Sequence, residues 1–141
     1  MSTDALFQVL NLATLACWLP LVFLPRRRWA SAILPIAMPA VLAVAYVALL
    51  AASLPGSDGG FSSLAEVRAL FDDPRGLLAG WTHYLAFDLF IGGWEVRDAQ
   101  ERGVHHLLVV PALALTFLVG PAGLLLYLGI RRFAPARPAA R

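Results

Sequence analysis

Lysine is absent from this chain of 141 residues, charge of either sign is scarce at 14%, and cysteine occurs once. About a quarter of a soluble domain is charged, so a chain that is also 60% hydrophobic falls outside that class. The lone Cys17 cannot form an intramolecular disulfide and says nothing about redox compartment. Basic charge comes only as eleven arginines, the net charge is +2, and no basic cluster is interleaved with aromatics. A nucleic-acid partner is therefore not expected. The chain has three histidines but no His-x-x-x-His, Glu-x-x-His or Cys-x-x-Cys, and the adjacent His105 and His106 point to different sides of a helix. Neither a metal nor another cofactor is expected. The first residues carry Asp4 and no basic region, which favours a retained first helix over a cleaved signal. No internal repeat is apparent.

What is present is apolar sequence in long runs. The first, residues 5–25, stops at Arg26-Arg27-Arg28; the second, residues 30–54, has no charge, and Pro35 and Pro39 should bend it. Each reaches the roughly 20 residues needed to cross a hydrocarbon core. A turn-rich segment, Pro55 to Gly60, leads to Leu64, Val67, Leu70 and Phe71 at helical spacing, with Ser63 and Glu66 placed as a capping box. This predicts a short interfacial amphipathic helix over 62–71, either a lid or a packing element. A third run, residues 76–96, is apolar but carries His83, Asp88 and Glu95, and a fourth, residues 107–130, is uncharged and contains the breaker Gly120-Pro121-Ala122-Gly123. Residues 131–141 read as a basic, Pro-rich tail without fixed structure near anionic headgroups. The expected fold is an all-α integral membrane protein, a four-transmembrane-helix bundle with a short interfacial helix between spans 2 and 3. On that reading, arginines divide five to six between the two sides, which leaves orientation open under the positive-inside rule. A non-spanning third run would give seven to four.

The third run carries the groups most able to do chemistry. An ionisable side chain at a helix centre in a bilayer costs about 2.5–3.5 kcal/mol, so such groups are functional by default. Asp88 is a candidate proton donor and His83 a candidate proton acceptor or shuttle. At about 100° per residue, Tyr84, Asp88, Ile91 and Glu95 share one stripe, and His83, Phe87, Phe90, Trp94 and Asp98 another. His83 and Asp88 stand roughly 140° apart, so groups on other helices must complete any common site. Those available are Asn11, Thr14, Tyr46, His105, His106 and Thr116. Alternatively Asp88 fixes packing through hydrogen bonds, and Glu95 and Asp98 are solvated or paired with Arg97 or Arg102. Trp81, Tyr84, Phe87, Phe90 and Trp94 could line a groove for a long apolar ligand. Trp81 and Trp94, about 20 Å apart along a helix, also suit the two edges of an aromatic belt. Glu95, Asp98 and His106 are candidate supporting groups.

The pattern Trp81-x-His83-x-Leu85-Ala86-x-Asp88-Leu89-Phe90, followed by Asp98 and by Gly120-Pro121-x-Gly123-Leu124-Leu125, resembles a small four-span membrane family, the abscisic-acid-deficient-four-like or neoxanthin-synthase-like family. Its plant members are associated with forming neoxanthin. The resemblance covers about the last 60 residues well, whereas the first two spans agree in hydropathy. It implies a carotenoid or other isoprenoid as substrate and an acid/base isomerisation in which an epoxide opens and an allene forms. Asp88 and His83 are the matched residues suited to that chemistry. The alternative is a non-catalytic membrane protein that binds a lipid or pigment or assists an enzyme complex. Beyond the bilayer, a homo-oligomer is the remaining partner expectation, and the arginine-only basic composition points to a bacterial cytoplasmic membrane.

Overall fold

The computed structural model describes residues 2–55 and 57–133. Six α-helices form among them: α1 (Thr3–Phe23), α2 (Leu34–Ser53), α3 (Leu64–Asp72), α4 (Pro74–Arg102), α5 (His106–Val119) and α6 (Pro121–Phe133). A π-helical turn, Trp29–Ile33, runs directly into α2. Two helices, α1 and the continuous Trp29–Ser53 segment, are long and apolar enough to cross a membrane. The 29-residue α4 is longer than either but carries charge.

Local chemistry sets the boundaries. Ser2 caps α1 by accepting from the Ala5 amide. Ser63 caps α3 by accepting from the Glu66 amide, while the Glu66 carboxylate reaches back to the Ser62 amide, one residue beyond the N-cap amide of a standard capping box. Asp73 ends α3 and caps α4 through the Gly76 amide, with Pro74 in the first turn, where its missing N–H costs nothing. Gly103, at φ 72°, closes α4 in the left-handed conformation, and Gly120, at φ 38°, closes α5 immediately before Pro121 opens α6.

α4 is the hub of the packing. One core cluster joins it to α1, α5 and α6 through Trp18, Leu21, Leu89, Val96, Leu113 and Tyr127; a second joins it to α1 and α2 through Leu10, Leu42, Leu78 and Leu85. Small residues permit the approach. A Cβ on Gly92 would strike the Trp18 ring, and one on Gly93 would collide with the Pro35 ring. Pro35 has no N–H to offer the Ser31 carbonyl, and the Arg97 guanidinium donates to that carbonyl instead, at 2.8 Å. The proline expected to disturb the second run is thereby built into the α2–α4 contact.

The fourth apolar run departs from expectation. Instead of one helix over 107–130, it forms two that fold back on each other at Gly120-Pro121. α5 starts beside the end of α4, where His106 Nε2 bonds the Val22 carbonyl. Halfway along α4, the Phe117 carbonyl accepts from the Tyr84 hydroxyl at 3.0 Å. α6 then returns, and Tyr127 and Arg131 both reach Asp98 in the last turns of α4. Gly123 makes the tight fold possible, since any Cβ there would collide with the Thr116 backbone. A helix of 14 residues spans about 21 Å, short of a core about 30 Å thick. Arg131, Arg132 and Phe133, expected to begin the tail, are the last turn of α6, while residues 134–141 lie outside the described residues.

Candidate functional site

The polar groups of α4 lie on two faces with different neighbours. His83 is exposed and stacks on Phe87, with ring centroids 4.5 Å apart; Tyr46 from α2 lies on its other side at 5.7 Å. His83 and Tyr46 border a cavity of about 240 Å³ between α2, α3 and α4, lined also by Phe61, Phe71 and Gly80. α3 covers it from one end. Its seat is narrow: a Cβ on Gly76 would collide with the Leu70 carbonyl, and one on Gly80 would stand 2.8 Å from the Phe71 ring. Leu70 is the buried anchor of α3, whereas Leu64, on the same predicted stripe, points outward at 86% exposure. The predicted interfacial helix thus both packs on α4 and covers the space beside His83.

Asp88 faces away from that cavity. Its carboxyl is buried against the α5–α6 break, where a Cβ added to Gly120 would come within 2.7 Å of Oδ1. The Tyr84 hydroxyl lies close beside it, with a single proton that goes to the Phe117 carbonyl. Seven residues on, Glu95 is fully buried and accepts from the Thr116 hydroxyl at 2.9 Å. One oxygen of each carboxyl, Asp88 Oδ2 and Glu95 Oε2, has no hydrogen-bond partner among the described residues. Glu95 is therefore neither solvated nor paired with Arg97 or Arg102, because it sits on the stripe that packs against α5.

Asp98 does pair with Arg102, at 2.9 Å, and in addition with Arg131 and Tyr127. It lies past the apolar run, in the last turns of α4. Burial pushes its carboxyl up, but hydrogen bonds from Tyr127, Arg131 and Arg102 and the Arg102 charge hold it below the usual carboxylate range. Arg131 also lies over the Trp94 ring, 5.6 Å from its centroid. Trp94 is thus half-buried against Tyr127 and Arg131. Trp81 is exposed and donates to Asn11 Oδ1 at 3.0 Å, and Phe90 is exposed. His106 is at the far end of α4, away from both His83 and Asp88.

The structure therefore brings His83 together with Tyr46 and Phe87, and Asp88 with Tyr84 and Gly120; it does not bring His83 and Asp88 together. In the sequence Tyr46 is one polar group among several on other helices. Tyr127 and Arg131 are hidden there because the last run reads as span and tail, although their four-residue spacing places both on one helix face.

A family model described as ABA4-like, ABA DEFICIENT 4-like, matches residues 5–127. The chain belongs to this family. The match takes in the first two helices, which agree only in hydropathy on the residue pattern, and ends at Tyr127 on α6. None of the curated proteins and none of the solved structures matches the chain. Membership of the ABA4-like family, which is membrane-associated and linked to neoxanthin synthesis, accords with the two helices able to cross a bilayer.

Proposed function

We propose that this ABA4-like chain is an integral membrane protein that takes a carotenoid or other isoprenoid from the bilayer and isomerises it by acid/base chemistry beside His83. The observation that carries the reading is the ring-lined cavity where His83 and Tyr46 meet. Its size suits the cyclic end group of an isoprenoid, and its walls suit an apolar, flat ligand. An epoxide end group that becomes an allene loses a proton from a polyene carbon and gains one at the epoxide oxygen. An imidazole and a phenol on one cavity supply a base and an acid, and the proton balance closes with no co-reactant. Asp88, on the opposite side of α4, supports the α5–α6 break and does not face this substrate.

Four crossings give way to three in this reading: α1, the Trp29–Ser53 helix and α4, with α5–α6 as a hairpin entering and leaving on one side. Arg26, Arg27, Arg28, Arg97, Arg102, Arg131 and Arg132 then share one end, against Arg68 and Arg75 at the other. Among the described residues seven arginines against two favour this reading, which the even division over four spans does not, and the arginine-rich end faces the cytoplasm. The membrane is a bacterial cytoplasmic membrane.

Expression in a carotenoid-producing host with pigment profiling tests the function. An isomer appears with the wild type and is lost in His83→Gln and Tyr46→Phe at normal membrane yield. An unchanged profile with both epoxide and non-epoxide carotenoids would overturn the enzymatic reading. The separation of His83 from Asp88 favours a second reading, a pigment- or lipid-binding protein without turnover. In that case the pigment co-purifies unconverted.

A further inference from the structure

At the arginine-rich end, a second cavity of about 330 Å³ opens between the end of α1, the last turns of α4 and the first turn of α5. Its polar lining is Arg26, Gln100, His105 and His106, and no carboxylate among the described residues lines it. The acids in the neighbouring turns of α4 are Glu95, buried against Thr116, Asp98, which is occupied by Arg102 and Arg131, and Glu101; none of them borders the cavity. Arg26 has no ion-pair partner among the described residues. His106 is half-buried and oriented by its bond to the Val22 carbonyl, and Gln100 is fixed by donating to the Pro25 carbonyl. Val96, Ala99 and Val104 form an apolar floor.

We infer that this cavity binds a phosphate group, carried by the head group of an anionic phospholipid. The Arg26 guanidinium borders a space that no carboxylate lines, and His105, whose Nδ1 accepts from the Leu107 amide, keeps its Nε2–H free beside it, which favours an anion. The apolar floor of Val96, Ala99 and Val104 suits a glycerol backbone and the start of an acyl chain better than a free ion. Basic pockets between membrane helices on the cytoplasmic side take lipid head groups of this kind. The inference rests on the cytoplasmic placement of the arginine-rich end proposed above but not on the carotenoid chemistry, because the cavity lies at the opposite end of α4 from His83.

The full chain is reconstituted into nanodiscs of phosphatidylcholine with increasing phosphatidylglycerol, and bound lipid is counted by native mass spectrometry after release. Wild-type protein retains phosphatidylglycerol saturably over phosphatidylcholine. Arg26→Gln reduces that retention about fivefold, the effect of about one interfacial charge, and His105→Gln reduces it by less, through the loss of one hydrogen-bond donor. Arg28→Gln, in the same arginine run but outside the cavity, leaves it unchanged. A parallel arm adds inorganic phosphate to phosphatidylcholine nanodiscs and follows thermal stability. A saturable response there that is lost in Arg26→Gln would keep the phosphate site but assign it to a soluble ion. Equal loss of retention in Arg28→Gln, or no saturable response in either arm, would overturn the site.

Discussion

Arg131 closes on Asp98 with two hydrogen bonds, Nε to Oδ2 at 2.9 Å and Nη2 to Oδ1 at 3.2 Å, across 33 residues of sequence. This pair brings the end of α6 back to the end of α4. Arg102 and Tyr127 converge on the same carboxylate, so Asp98 holds three donors from two helices.

Asp98→Asn removes the charge that organises these donors. The expected loss is about 1–3 kcal/mol, the range for hydrogen bonds to a charged group, with a lower thermal midpoint in detergent. Arg131→Gln costs less, because its side chain is 34% exposed and water screens the pair. A midpoint unchanged in Asp98→Asn would sever the proposed tie.

The same carboxylate sets an acid dependence. Its folded value lies below its unfolded one, so it stabilises the fold at pH above the ordinary carboxylate value of about 3.9. That contribution fades as pH falls through the lowered folded value. Unfolding followed from about pH 6 down to about pH 2 should show a steeper acid loss for wild type than for Asp98→Asn. Parallel curves would assign the acid sensitivity to other groups.

Two glycines on different helices should behave oppositely on substitution by alanine. Gly93→Ala forces a Cβ into Pro35 and pries α2 from α4, at a cost of about 1–3 kcal/mol. A Cβ on Gly129 would meet nothing within 4 Å, and alanine there gains up to about 1 kcal/mol of helix propensity. Thermal unfolding of both variants is the measurement, and a destabilised Gly129→Ala would contradict the placement of α6.

Gly120→Ala meets two obstacles, a left-handed φ of 38° and the Asp88 carboxyl. A cost of about 1–3 kcal/mol is expected for the backbone alone. Asp88→Ala relieves the crowding but not the φ, so the double variant should recover part of the loss and not all of it. Full additivity in the cycle would show that Asp88 and Gly120 do not touch in solution.

Impermeant maleimide labelling separates three crossings from four. With Cys17 replaced by alanine, Ser62→Cys labels from outside intact cells and Arg132→Cys only after lysis. Labelling of Arg132→Cys from outside would restore a fourth crossing and dismiss the hairpin.

The helices and most of their ends were legible because their signals are local. Runs of apolar residues, Ser63 with Glu66, and Asp73-Pro74 all act within one turn of the chain. The roughly 140° between His83 and Asp88 followed from helical pitch, and in the structure the two indeed have different neighbours. The breaker at Gly120-Pro121 was visible as well, but the sequence alone does not say whether a chain bends or reverses at such a point. That depends on Gly123 fitting against Thr116 and on Asp98 receiving Arg131, contacts between residues 7 and 33 positions apart. The surroundings of Glu95 are hidden for the same reason. Its distance from the end of the run suggested water, whereas the returning helices bury it. Tyr46 beside His83 is a pairing between helices that no periodicity within either helix encodes.

The reversal at Gly120 also bears on how the protein is assembled. A hairpin that stops partway through a bilayer exposes its turn to lipid unless protein already surrounds it, and uncovered backbone there is costly. Tyr84, Asp88 and Trp18 provide that surrounding, and they belong to α1 and α4. The order of synthesis matches this need: α1 and α4, which shelter the turn, leave the ribosome before it does, so the α5–α6 hairpin docks into a groove that is already in place.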